Sequence, residues 1–186
     1  MNDEVSQIIF KHLNKAHHWQ SKAGKLKHCA DLLFKAYLEA GKLSGEEQAE
    51  TQNSEIDDVA TLLYGMAMED ILKATLLKDG IAKIKDDGTV DWVADGAGDH
   101  DLLGICSLIA HVKLTDGQKI LMKRLSAFVC WAGKYPTPKS RTRKKDFQGF
   151  QLLNQPKCAP ETMPSAFDAE DKKIFDQIYE DICKEV

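Results

Sequence analysis

The sequence predicts an all-α protein, an up-and-down bundle of five to six helices with a small hairpin-like insertion near 81–95. Three observations carry that expectation. Apolar residues recur at helical spacing along most of the chain. The segment 55–79 is apolar around nearly its whole circumference: between Val59 and Leu77 only Glu69, Asp70 and Lys73 carry charge. A helix of that kind is buried on most sides. A third long apolar pattern ends at Trp131-Ala-Gly-Lys-Tyr-Pro-Thr-Pro138, where Gly133 and Pro136 stop it.

Taken in order, a first helix is expected over about 3–20 and a second over about 25–41, with Gly24 at their boundary and Gly41 at the end of the second. Residues 42–54 read as a polar loop, and Asn53 or Ser54 as the cap of the next helix. That helix, 55–79, is stopped by Gly80. In the insertion, Asp87-Gly88 between short β-prone runs is a hairpin signal. A fourth helix is expected from Asp99 to about Val112, and a fifth from about Thr115 to Ala132. Residues 146–164, with prolines at 156, 160 and 164, read as irregular. An acidic last helix spans about 166–184, with Ser165 as its cap.

A chain of 186 residues makes one domain, 1–186, the default. With 43% apolar and 29% charged residues, it has an ordinary globular composition. The net charge of -4 argues against a chain wholly devoted to nucleic acid, though not against a local basic patch. The five cysteines (Cys29, Cys106, Cys130, Cys158 and Cys183) form no Cys-x-x-Cys pair. Reduced, mostly buried thiols are expected, not a disulfide framework or a zinc site. The start, Met-Asn-Asp-Glu-Val, lacks the pattern of a signal peptide. No segment approaches the roughly 18 apolar residues of a membrane helix, so a cytoplasmic protein without membrane contact is expected.

The run that follows Trp131 concentrates charge. Lys134, Lys139, Arg141, Arg143, Lys144 and Lys145 lie in it, including two of the three arginines of the chain. Tyr135, Phe147 and Phe150 offer aromatic faces nearby. Cations with interleaved aromatics are what single-stranded RNA binding uses. The plainer reading is a solvated loop docked on acidic surface, for which 46–58 and 168–185 are the candidates.

Three segments together resemble the HEPN superfamily of helical domains: Tyr64-Gly-Met-Ala-Met-Glu-Asp-Ile-Leu-Lys-Ala74, Gly98-Asp-His-Asp-Leu-Leu103, and Trp131 to Pro138. Their order and spacing cover a core of about 55–140. The resemblance implies an up-and-down bundle, often a homodimer. It also implies a place among RNA-cleaving toxins, their relatives in phage defence, or non-catalytic RNA- or nucleotide-binding modules. One departure is sharp. The ribonuclease branch carries an Arg followed shortly by a His, whereas here no Arg precedes any His: the arginines are Arg124, Arg141 and Arg143, and the last histidine is His111. A non-catalytic member is therefore expected, binding RNA or a nucleotide through Lys134, Tyr135, Arg141, Arg143, Lys144 and Lys145. Two alternatives stand beside it. One is a divergent ribonuclease using His100 with Glu69 or Lys134. The other is a dimeric interaction scaffold in a defence or toxin–antitoxin-like system that touches no nucleic acid.

A polar cleft is expected from Glu69, Asp70, Lys73, His100, Asp101 and Arg124. Asp70 lies on the angle shared by Val59, Leu63, Met66 and Leu77, and a buried carboxylate needs a cation. Arg124, flanked on its face by Ile120, Phe128 and Trp131, is the expected partner, with Trp131 stacked on it. Glu69 and Lys73 form a favourable i,i+4 pair, either at the surface or lining a cleft with Lys134. Asp99 is the expected cap of the fourth helix, and Asp101 suits the positive end of its dipole. His100 is either a general base or a residue packed at the helix start. His12, His17 and His18 read as solvated. No metal and no cofactor is expected: no second ligand lies near His100, and there is no P-loop, no Gly-x-Ser-x-Gly elbow and no dinucleotide fingerprint.

Overall fold

The computed structural model describes residues 15–43, 47–85, 90–92, 100–132, 167–184 and 186. Within them the chain is an all-α bundle of five helices with one small two-stranded sheet: α1 (Ala16–Leu43), α2 (Glu47–Lys78), β1 (Ala82–Ile84), β2 (Val90–Trp92), α3 (Leu102–Ser107), α4 (Asp116–Ala127) and α5 (Ala169–Cys183). A π-helical turn, Phe128–Ala132, extends α4.

α1 runs unbroken through Gly24, contrary to the expected boundary there. A helical glycine costs only about 1 kcal/mol relative to alanine. The stripe Ala16, Trp19, Ala23, Leu26, Ala30, Leu33, Phe34 and Tyr37 packs on the core on both sides of it. α2 likewise begins at Glu47, so the expected loop at 42–54 is largely helix, and Asn53 and Ser54 lie inside α2 instead of capping it. The two helices lie antiparallel: Trp19 meets Lys73, Lys22 meets Asp70, and Asp31 meets Tyr64. Buried alanines recur at every seventh position, Ala23 and Ala30 on α1 and Ala60, Ala67 and Ala74 on α2. Small residues at that spacing let two helices lie close together.

α2 is wrapped as its apolar circumference requires. Ala60, Tyr64, Ala67, Met68, Ile71, Leu72 and Leu76 are fully buried, while Val59 is exposed. Gly80 ends the helix in the left-handed conformation, φ 69°. Ile81 N donates to Leu76 O (2.9 Å) and Gly80 N to Leu77 O (3.3 Å), the paired bonds of a Schellman stop. The insertion pairs β1 and β2 antiparallel with Ile84 opposite Val90. The hairpin signal Asp87-Gly88 itself lies outside the described residues.

α3 is shorter than expected, because the chain leaves the helix at Leu108 in successive three-residue turns and buries Ile109. α4 starts where expected, with Thr115 and Gln118 closing a capping box. α5 starts at Asp168, which caps it together with Asp171; the expected cap, Ser165, lies outside the described residues. Of the thiols described, only Cys106 is buried, and burial pushes its pKa up to about 11. Cys29 is exposed, and Cys130 and Cys183 are half-buried, so the expectation of mostly buried thiols holds for one of four.

Gly65 and Gly24 make a matched test of this packing. A Cβ on Gly65 would lie 2.5 Å from Val129 Cγ2 and 3.1 Å from Leu125 O, whereas one on Gly24 meets nothing within 4 Å. Gly65→Ala is expected to destabilise the fold by about 1–3 kcal/mol. Gly24→Ala is expected to stabilise it by roughly 0.5–1 kcal/mol. Urea unfolding of the two variants, read at α-helical ellipticity, checks both signs.

Candidate functional site

Burying α2 buries its polar residues too. Glu69 and Asp70 are 7% and 5% exposed, and each has recruited a cation. Asp70 Oδ2 meets Lys22 Nζ of α1 at 3.1 Å. Burial still pushes the Asp70 carboxyl above the ordinary carboxylate range, with Lys22 opposing the shift. Glu69 holds two partners: Lys73, one turn further along α2, and His100, whose Nδ1 lies 3.0 Å from Glu69 Oε2. A carboxylate can only accept, so this contact favours a proton on His100 Nδ1, which in the neutral ring leaves Nε2 as the acceptor. The imidazole is nearly half exposed.

Trp19 completes this corner. Its ring centroid lies 5.6 Å from Lys73 Nζ and 5.9 Å from Lys22 Nζ, both within cation–π range. The corner thus joins a half-buried indole, two lysines, two buried carboxylates and an oriented histidine at the meeting of α1, α2 and the start of α3. Asp101 caps α3 beside it, accepting from Gly104 N at 3.0 Å. Asp99 lies outside the described residues. Leu102 N donates to Ser126 Oγ at 3.0 Å, which ties this end of α3 to α4 just before the π turn. π turns are frequent at functional sites, and this one leads directly into the basic run.

The expected pair of Asp70 with Arg124 does not form. Arg124 Nη1 instead grips both carboxylate oxygens of Asp171 on α5, at 2.8 and 2.7 Å. Both groups are nearly buried. Helical periodicity gave each residue a face, but Lys22 and Asp171 stand closer to them in space. The expected stacking of Trp131 on Arg124 concerns a side chain outside the described part, as do Lys134, Tyr135, Arg141, Arg143, Lys144 and Lys145. Of the expected cleft, Glu69, Lys73 and His100 come together, with Asp70 and Asp101 adjacent, and Arg124 belongs to another junction. The Glu69–Lys73 pair lies in the protein interior, not at the surface. His17 and His18 are exposed, and His12 lies outside the described residues.

Sequence reasoning missed a second polar junction. Lys27 and Asp31 of α1 and Lys172 and Asp176 of α5 form a closed ring of ion pairs: Lys27–Asp31 2.9 Å, Lys27–Asp176 2.9 Å, Lys172–Asp31 3.1 Å, and Lys172–Asp176. Tyr64 OH donates to Asp31 Oδ1 at 2.8 Å. Burial opposes the charge on Asp31, but bonds from Lys27, Tyr64 and Lys172 outweigh it and hold its carboxyl below the usual range. The ring is charge-balanced and committed to itself, so it reads as a clasp. An i,i+4 Lys–Asp pair on each of two amphipathic helices was the available signal.

Among the described residues, no group of three or more His, Cys, Asp or Glu is placed to hold a metal ion, and no helix is long and apolar enough to cross a membrane. The chain has no significant match among protein-family models, curated proteins or solved structures.

The Arg124–Asp171 pair predicts strong coupling. Arg124→Met strands a nearly buried carboxylate and is expected to cost about 3–5 kcal/mol, as is Asp171→Asn. The double variant is expected to cost well under the sum. Additive losses in a urea double-mutant cycle would show that the contact carries no coupling energy.

Proposed function

We propose that this chain is a HEPN-like helical module that binds RNA or a nucleotide and acts in the cytoplasm as a homodimer. The observation that supports the reading is the corner at Trp19, Lys22, Glu69, Lys73 and His100. It puts an aromatic face and cations beside an oriented hydrogen-bonding imidazole, and these are the group types that single-stranded nucleic acid uses. The corner itself is charge-balanced, so phosphate attraction falls to Lys134, Arg141, Arg143, Lys144 and Lys145. Those residues follow in sequence from α4, whose Ser126 is bonded beside the corner.

A second reading, a divergent ribonuclease, is favoured by one specific contact. His100 donates through Nδ1 to the buried Glu69, the arrangement in which a carboxylate orients a histidine and leaves Nε2 to take a proton. In that reading His100 is the general base, Glu69 its positioning residue, and Lys134 an electrostatic partner.

Binding of a labelled single-stranded RNA, measured across a salt series with a cleavage gel on the same samples, separates these readings. The binding module predicts intact RNA and affinity that falls steeply with salt. Arg141→Ala and Arg143→Ala are each expected to weaken binding and to reduce the salt slope by about 0.7. Cleavage lost in His100→Ala, with binding kept, is the result expected of the ribonuclease. Absence of binding at low salt contradicts both.

A further inference from the structure

The corner around Trp19 is electrically closed. Lys22 is matched by Asp70, and Lys73 by Glu69. Both carboxylates are buried, so neither is open to a group from outside. A phosphate arriving there would have to compete with a buried carboxylate for each ammonium. His100 differs from its neighbours. Its side chain is 43% exposed, and its 3.0 Å contact with Glu69 Oε2 engages Nδ1 alone. With Nδ1 donating, the neutral ring offers a single further hydrogen-bonding atom, the acceptor Nε2. An uncharged acceptor is complemented by an uncharged O–H or N–H.

The ring is also held from both sides. Glu69 is fixed by burial and by Lys73, one turn further along α2. The backbone after His100 is fixed by the Asp101 cap on Gly104 N and by the bond from Leu102 N to Ser126 Oγ. A ring held in this way gives up little freedom when it accepts a bond.

In a nucleic-acid strand the phosphates offer acceptors only, and the deoxyribose ring offers no donor. The ribose 2′-hydroxyl is a donor that every ribonucleotide carries, whatever its base. We propose that His100 reads the sugar: its Nε2 accepts a hydrogen bond from a ribose 2′-hydroxyl, so that the corner selects RNA over DNA. This assignment rests on the RNA-binding reading given above. Within that reading the labour is divided. The cations from Lys134 to Lys145 attract phosphates, which RNA and DNA share, and His100 supplies the difference between them. Glu69 is the positioning residue, because its contact with Nδ1 sets which nitrogen accepts.

Binding of three labelled single strands of one sequence to the whole chain tests this. The strands are RNA, DNA with uracil in place of thymine, and 2′-O-methyl RNA, which keeps the oxygen but cannot donate. They are titrated at one salt concentration and about pH 8, where an ordinary imidazole is neutral. The wild type is expected to bind RNA about three- to tenfold tighter than either of the others, the worth of one hydrogen bond. His100→Ala is expected to bring that ratio close to one, and Glu69→Gln to lower it. A general structural defect would weaken all three strands together and leave the ratio in place. Equal binding of the three strands by the wild type overturns the assignment while leaving the RNA-binding reading standing. A preference for RNA that survives His100→Ala also overturns it. So does a preference that follows the bases of a second sequence and not the sugar, which would place the donor on a base edge. Failure of all three strands to bind at low salt contradicts the RNA-binding reading itself.

Discussion

α2 has to be wrapped, and most of the structure follows from that. A helix apolar on nearly every side is stable in water only if neighbours cover it, here α1, α3, α4 and α5. Covering it also buries Asp57, Thr61, Glu69, Asp70 and Thr75. Each such group needs a partner, because an unpaired buried polar atom costs about 1–3 kcal/mol and a charge more. Thr75 bonds back to Ile71 O within the helix. Asp70 takes Lys22 from α1, Glu69 takes His100 from the approach to α3, and Asp57 takes the Phe167 amide from the approach to α5. The polar residues of the central helix thus tell the surrounding elements where to sit.

Two polar regions are separated along α2 as a result. Asp57 and Glu69 are twelve positions apart, about 18 Å of helix. Around Glu69 the polar groups face a half-exposed histidine and an indole, so the corner is open to chemistry. Around Asp57 they face the start of α5 and are closed over. Between them Tyr64 works as a hub, bonded to Asp31 and ringed by Phe34, Phe167 and Phe175. α5 reaches that hub through its apolar face and is clasped at its rim by Lys172 and Asp176. Of its outward acids, Glu170 and Asp181 are matched by Lys173 and Lys184, so the helix presents mixed charge.

Where one local rule decides an element, the sequence was legible. Gly80 stops α2 because only glycine takes the left-handed stop cheaply, and Thr115 with Gln118 starts α4 by a capping box. The burial of α2 and the place of the hairpin were equally readable. Gly24 and the polar stretch at 47–54 misled, because a weak local signal was overruled by continuous packing or by extension of a long helix. The site was half legible. Glu69, Lys73 and His100 could be singled out as charges on, or at the edge of, buried helices. The partners of Asp70 and Arg124 could not, since periodicity assigns a face but not the azimuth at which distant helices meet it. Trp19 and Lys22 belonged to a helix that read as two pieces, and their approach to α2 had no local mark.

The claim on which the site rests is that buried Glu69 sets the tautomer of His100. Long-range nitrogen–proton correlation spectra of the histidine rings, recorded with the imidazole neutral, report it directly. The structure predicts that His100 carries its proton on Nδ1, and that Glu69→Gln shifts the ring toward the Nε2 tautomer usual in solution. A wild-type His100 already protonated on Nε2, unchanged by Glu69→Gln, would contradict the account.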